Sequence, residues 1–321
     1  MKRKVMKIGP ATLVISLPST WVKKLKIEKG DELEVIEYEK GLQITTKKEH
    51  SPEKKFIAIS KYNPIIMRTL GILYKVGYNE IKIPYDENKK LYKAYGKKEY
   101  NEIDFIRRAV ESYSGMDIKE IKKDNDGSYV MITERAHLLP EEFKNTINQA
   151  FLHLCFISEE IYEALSKNNR NIQEKIDLTD NLINQTTNFC QKILNKHGYE
   201  QFWKTTFVYL IVVGIEQLGD KYRELYEFYT NQNFKVSNEV LVFHAKINSA
   251  VSEFYALFKK FDIKKLSNLG TSLKNLSEEY EKLLEKCSKK ELNILFYLNN
   301  IKEQTYDLLE PLMAFYHEDL A

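Results

Sequence analysis

The sequence predicts a multidomain chain of three parts: a small β head over residues 1–50, an α+β segment over 54–135 and an all-α bundle over 136–321. Three observations predict it. Near the start, short β-branched runs such as Glu32-Leu33-Glu34-Val35-Ile36-Glu37-Tyr38 alternate with period two between glycine turns. From Lys54 to Thr133, runs of strand length alternate with runs of helix length. Beyond Leu139-Pro140, apolar residues recur at helical spacing over long stretches with few breakers. At 321 residues, 43% of them hydrophobic, the chain is long enough to bury more than one core.

In the first part, Lys4 to Ile8 and Thr12 to Leu17 are predicted strands around a Gly9-Pro10 turn. Pro18-Ser19-Thr20 opens a short helix to Leu25 with Ser19 as its cap. Lys29-Gly30-Asp31 is a turn, and Lys40-Gly41 joins the strand Glu32–Tyr38 to Leu42–Thr45. A core of about fifty residues is marginal alone, so pairing with a second copy is favoured. The first 30 residues carry eight Lys or Arg against one acidic residue, a cluster suited to phosphate backbones.

The stretches Val5-Met6-Lys7-Ile8-Gly9, Leu13-Val14-Ile15-Ser16-Leu17-Pro18, Trp21-Val22-Lys23-Lys24-Leu25 and Gly30-Asp31-Glu32-Leu33 together resemble the AbrB/MazE/SpoVT swapped-hairpin domain, a dimeric DNA-binding fold. Pro10-Ala11 departs from the Gly and Ser common there. The resemblance implies a homodimer or higher assembly on DNA, with Lys2, Arg3, Lys4, Lys7, Lys23, Lys24 and Lys26 on phosphates and Thr12 or Ser16 adjusting register. Surface lysines that serve only solubility are the alternative.

His50-Ser51-Pro52 reads as a linker. Then come Phe56 to Ile59 as strand, Pro64 to Val76 as helix, Glu80 to Pro84 as strand, a lysine-rich loop from Asp86 to Lys98, and a helix from Asn101 to Ser114. Strands Ile118–Lys122 and Tyr129–Thr133 close the segment around Asn125-Asp126-Gly127. No catalytic constellation falls here. Gly71-Ile72-Leu73-Tyr74-Lys75-Val76-Gly77-Tyr78-Asn79 is similar to a turn in archaeal proteins that join an AbrB-like head to a PhoU-like tail.

Six helices are predicted beyond it: Pro140–Ser166, Asn171–Lys196, Tyr199–Asn231, Ser237–Phe261, Ile263–Lys286 and Lys289–His317. Their short connections favour antiparallel neighbours in two sets of three. The run Phe207 to Val213 is apolar all round, as in a buried helix, yet Glu216 and Asp220 follow on one face. A cation with oxygen ligands, a Lys or Arg from a neighbouring helix, or partial protonation would each compensate them. A shift of 83 residues lays this stretch on Tyr297 to Leu308, with Asp220 over Glu303, Glu224 over Asp307 and Glu216 over Asn299.

Val213 to Leu225 resembles the Glu-Arg-Ile-Gly-Asp signature of PhoU-like proteins, phosphate-signalling bundles whose carboxylates bind metal clusters; Gln217 stands where Arg is usual. Glu174-Lys175-Ile176-Asp177 resembles that family's other acidic motif, with Asp180 beyond it. The resemblance implies two three-helix repeats, metal ligation by Glu174, Asp177, Glu216, Asp220, Glu303 and Asp307, and Mg, Ca, Mn or Fe as the ion. It also implies regulation of phosphate uptake, with a phosphate ABC transporter component as partner.

Other classes are set aside. No apolar run reaches 18 residues, and Lys7, Gly9 and Pro10 interrupt any signal h-region, so a cytoplasmic protein is expected. Cys155, Cys190 and Cys287 are far apart and read as core residues. Gly-x-Gly-x-x-Gly, the phosphate-binding loop, Gly-x-Ser-x-Gly and His-Glu-x-x-His are all missing, so no enzyme is expected. The sequence thus reads as a DNA-binding transcriptional regulator of phosphate uptake with a sensing or docking tail. The rival reading is an adaptor whose head only dimerises, and a third is a metal-storage or metal-dependent bundle.

Overall fold

The computed structural model describes residues 1–38, 41–46, 54–86, 89–92, 99–124, 127–135 and 139–320. Two compact units divide the chain, Met1–Glu53 and Lys54–Ala321. The first is strand-rich and the second ends in a long helical region.

In the first unit, β1 (Met6–Ile8) and β2 (Thr12–Val14) form an antiparallel hairpin with Lys7 opposite Leu13. Gly9, at φ 71°, takes the left-handed conformation that this tight return requires. Helix α1 (Ser19–Leu25) starts one residue earlier than expected, and Pro18 rather than Ser19 stands at its cap position with no side-chain bond. Pro suits the entry because its own N–H would be unused there. The helix closes on Lys26 in the left-handed region, with Lys23 and Lys24 in its last turn, where positive charge complements the carbonyl ends. A second hairpin, β3 (Glu34–Tyr38) with β4 (Gly41–Thr45), pairs in full register.

The second unit begins with a four-stranded sheet. Its strands are β5 (Lys54–Phe56), β6 (Glu80–Pro84), β9 (Met116–Asp124) and β10 (Gly127–Glu134), in the spatial order β5-β6-β10-β9. Only β5 runs parallel to its neighbour. Beyond Ile57 the chain leaves the expected strand and enters a 3₁₀ turn, Ile59–Tyr62. Helices α2 (Ile66–Val76) and α3 (Glu102–Val110) cover one face, where Leu70, Leu73, Phe105 and Ile106 pack with Ile81, Ile83, Val130 and Ile132. A short hairpin not expected from sequence, β7 (Lys90–Tyr92) with β8 (Glu99–Asn101), takes up the start of the lysine-rich segment. The rest of that segment, the turn at Lys40, the linker at His50-Ser51-Pro52 and the Asn125-Asp126 turn lie outside the described residues.

The helical region contains α4 (Phe143–Ser166), α5 (Gln173–His197), α6 (Thr205–Thr230), α7 (Asn238–Lys259), α8 (Ile263–Lys286), α9 (Leu292–Asp307) and α10 (Leu309–Phe315). Helices α4, α5 and α6 pack on one another, as do α7, α8 and α9, and the two sets meet through α6 with α9 and α4 with α7. The sixth predicted helix is broken at Leu308. Pro311 explains the break: it lacks an N–H and its ring clashes with the carbonyl four residues back, at Asp307, where α9 ends. The third begins at Thr205 rather than Tyr199, because Gly198 turns the chain at φ 75° and Tyr199 N–H donates to Thr205 Oγ1 at 2.9 Å.

The sheet is bonded to the helices through α5. Asn181, Gln185, Asn188, Lys192 and Asn195 recur every three or four residues and so form one stripe. Asn195 Nδ2 donates to the Lys75 carbonyl at 2.9 Å, Asn188 Nδ2 to Ser112 at 3.2 Å and Gln185 Nε2 to Glu111 at 2.5 Å. These carbonyls lie at the ends of α2 and α3, which leave such acceptors unsatisfied. At the centre, Lys192 Nζ meets Glu134 Oε1 at 2.7 Å with side chains 1% and 6% exposed, and Asn79 Nδ2 donates to the other Glu134 oxygen. The ammonium also stands 4.7 Å from the Tyr74 ring centre.

Candidate nucleic-acid interface and helical acidic cluster

The head is built inside out for a lone chain. Of its described residues only Leu25 is buried, while Val5, Met6, Ile8, Ile15, Val35 and Leu42 are exposed and Leu13 is 69% exposed. The hairpins β1–β2 and β3–β4 are two separate two-stranded sheets, and an isolated pair of strands is marginally stable in water. These side chains require a cover.

Around them stand the predicted phosphate contacts. Lys2, Arg3 and Lys4 precede β1, Lys7 lies in it, and Lys23, Lys24 and Lys26 end α1; all are exposed. Among the described residues no carboxylate lies within ion-pair distance of Lys2, Arg3, Lys4, Lys7, Lys23 or Lys24. Thr12, which opens β2 opposite Ile8, and Ser16 are exposed as well. Unneutralised cations on a short β scaffold are what a polyanion needs to release its counterions.

The acidic residues of the helices fall into separate places. Asp180 of α5 and Asp220 of α6 come together around Arg223: Nε lies 3.5 Å from Asp180 Oδ2 and Nη2 3.8 Å from Asp220 Oδ1. Arg223 Nη1 also donates to Glu227 Oε2 at 3.0 Å, and Asn184 Nδ2 donates to Asp180 at 3.3 Å. Burial pushes the Asp180 carboxyl up to about 7, against the pull of Arg223, with Asp220 and Asp177 adding to the rise. Burial likewise raises Asp220 against Arg223. Glu216 is raised by burial too, and its largest opposing influence is Lys75 of α2, followed after Asp220 by Arg68.

The other predicted ligands do not join this group. Glu174 and Asp177 are exposed on α5, and Asp177 accepts a bond from Gln173 Nε2 at 2.8 Å. Glu303 and Asp307 face solvent on α9, where Glu303 Oε1 pairs with Lys302 Nζ at 2.7 Å. Among the described residues no three His, Cys, Asp or Glu side chains are grouped to hold an ion. The donor set that the resemblance implied therefore does not fit a metal centre.

Two residues of the cluster stood outside the predicted ligand set. Asp180 lies four residues after buried Ile176 and three before buried Ile183, so it borders the inward stripe of α5, whereas Asp177 is off that stripe. Arg223 lies three residues after Asp220 and four before Glu227, a spacing that announces helix-face pairing. The 83-residue echo does reappear in packing: Ile215, Leu218, Gly219, Tyr222 and Leu225 are buried, and so are Leu298, Ile301, Lys302, Thr305 and Leu308.

Residues 6–52 match the model of the family described as antidote-toxin recognition MazE, bacterial antitoxin. The match covers the strand-rich head and none of the second unit. Comparison with curated proteins returns no match for the chain.

Proposed function

We propose that the chain is a non-catalytic DNA-binding regulator that works as a homodimer or higher assembly through its head. The observation that carries this reading is one surface of the head. Apolar strand residues that need a second chain lie beside six cationic residues without carboxylate partners. Covering a Leu, Ile or Val fully contributes roughly 1.5–3 kcal/mol, so burying only a few of these side chains offsets the cost of association. The MazE family match supports the same reading, since that family comprises antidote-toxin recognition antitoxins. Lys and Arg fix the head on phosphates, and Thr12 or Ser16 adjusts its register.

The bundle is the sensing or docking end, placed in the cytoplasm with the head. Its likeness to phosphate-signalling bundles favours phosphate uptake as the regulated process and a phosphate ABC transporter component as partner. A signal acts through it only by binding one arrangement of the dimer better than another. No described helix is long and apolar enough to cross a membrane, so contact with such a transporter would be peripheral.

Fluorescence anisotropy on a mixed-sequence duplex across a salt series tests the head. Lys4→Ala, Lys7→Ala and Lys24→Ala together are expected to weaken binding and to lower the salt slope by about 2–3. Undiminished binding by this variant would remove the head assignment. The exposed apolar strands also favour a second reading, in which the head only dimerises and the chain is an adaptor. That reading gains if the wild-type protein ignores duplex at low salt. Genome-wide occupancy with and without phosphate limitation then decides whether phosphate-transport genes are targets.

A further inference from the structure

The carboxylates of α5 and α6 already have a cation, supplied by the chain. The Arg223 guanidinium reaches Asp180, Asp220 and Glu227 with different nitrogens, and the Asp180 side chain is 16% exposed. Arg is suited to this: its planar fork presents several donors at once and stays charged when partly buried. A divalent ion ligated by Asp180 and Asp220 would need both oxygens within about 2–2.6 Å of itself, in the space between them that the guanidinium occupies. It would also meet the positive charge of Arg223, held there by its own helix. The second half of the bundle repeats the device. Where α6 has Gly219, the position 83 residues on is Lys302, whose side chain is 3% exposed and whose Nζ bonds Ser277 Oγ at 2.6 Å and Glu303 Oε1 at 2.7 Å.

We infer that Arg223 is the resident cation of this bundle, joining α5 to α6 through Asp180 and Asp220 and making their pairing independent of metal. Removing it leaves two partly buried carboxylates facing each other, which is the condition in which a divalent ion gains a place.

The test uses the full-length chain. Thermal midpoints of wild type are expected to be the same with EDTA and with millimolar Mg²⁺ or Mn²⁺, and protein purified without chelator should carry only substoichiometric metal. Arg223→Met should lower the midpoint by roughly 4 °C or more, and Mn²⁺ should restore part of that loss in this variant alone. Adding Asp180→Asn and Asp220→Asn to Arg223→Met should also recover stability, which keeps the inference open to test if the single variant folds poorly. A wild-type midpoint that falls on chelation would overturn the inference. So would stoichiometric metal that disappears in Asp180→Asn/Asp220→Asn, or an Arg223→Met chain as stable as wild type.

Discussion

Two buried side chains show how single residues set the stability of the second unit. Lys192 and Glu134 are nearly inaccessible, and burial pulls the Lys192 ammonium below its usual range while Glu134 works against it. Breaking a buried pair from one side typically costs about 3–5 kcal/mol, because the remaining charge has no partner. Lys192→Met is expected to cost that much in chemical denaturation, and Lys192→Met with Glu134→Gln considerably less. His244 is a different case. It is fully buried between Tyr162 and Tyr222, and neither ring nitrogen has a hydrogen-bond partner. Burial pushes its pKa down to about 3, so the folded chain holds it neutral. The unfolded chain takes up a proton below about 6.5, so stability falls by about 1.4 kcal/mol per pH unit from there toward pH 3. A His244→Phe chain should show a shallower decline over that window, and an unchanged slope in acid titrations of stability would reject the assignment.

At the scale of elements, glycine and proline decide where helices stop and how closely they approach. Gly77 ends α2 at φ 101° with its N–H on the Leu73 and Tyr74 carbonyls, a conformation that costs an L-residue about 1–2 kcal/mol. A Cβ there would also lie 2.8 Å from the Lys196 side chain of α5. Gly77→Ala is therefore expected to destabilise by at least about 1–2 kcal/mol, measured by denaturant unfolding. Gly214 has the same role between α6 and Leu308, where an added Cβ would collide. Most of these helices were legible in the sequence, because apolar spacing and breakers act locally. Ile263–Lys286 has the predicted bounds. The hairpin β7–β8 was not, since strands of three residues carry too little periodicity. The candidate site was legible in part. Glu216 and Asp220 mark the right helix, but partners on α5 and α2 depend on how the helices are rotated against one another.

For the whole molecule, the prediction concerns assembly. If a second copy covers the head, Leu13→Asp in the full chain should lower the sedimentation mass of the wild-type assembly and abolish duplex binding together, leaving the helical circular dichroism unchanged. A variant that keeps its mass would show that β2 is not at the interface. The second unit is suited to pass a change onward. Sheet and bundle meet along hydrogen bonds to helix-end carbonyls, with one central ion pair rather than a flexible tether. Such a junction resists relative motion because each displacement leaves buried polar groups unpaired.

The sequence by itself determined the basic head, the order of strands and helices and the phase of each apolar stripe, since these follow from local charge, turn chemistry and periodicity. Only the tertiary structure decided which carboxylates meet, that Arg223 stands between Asp180 and Asp220, and that Lys192 reaches Glu134. Those partnerships join residues far apart in the chain, and burial, which no local pattern encodes in full, selects them.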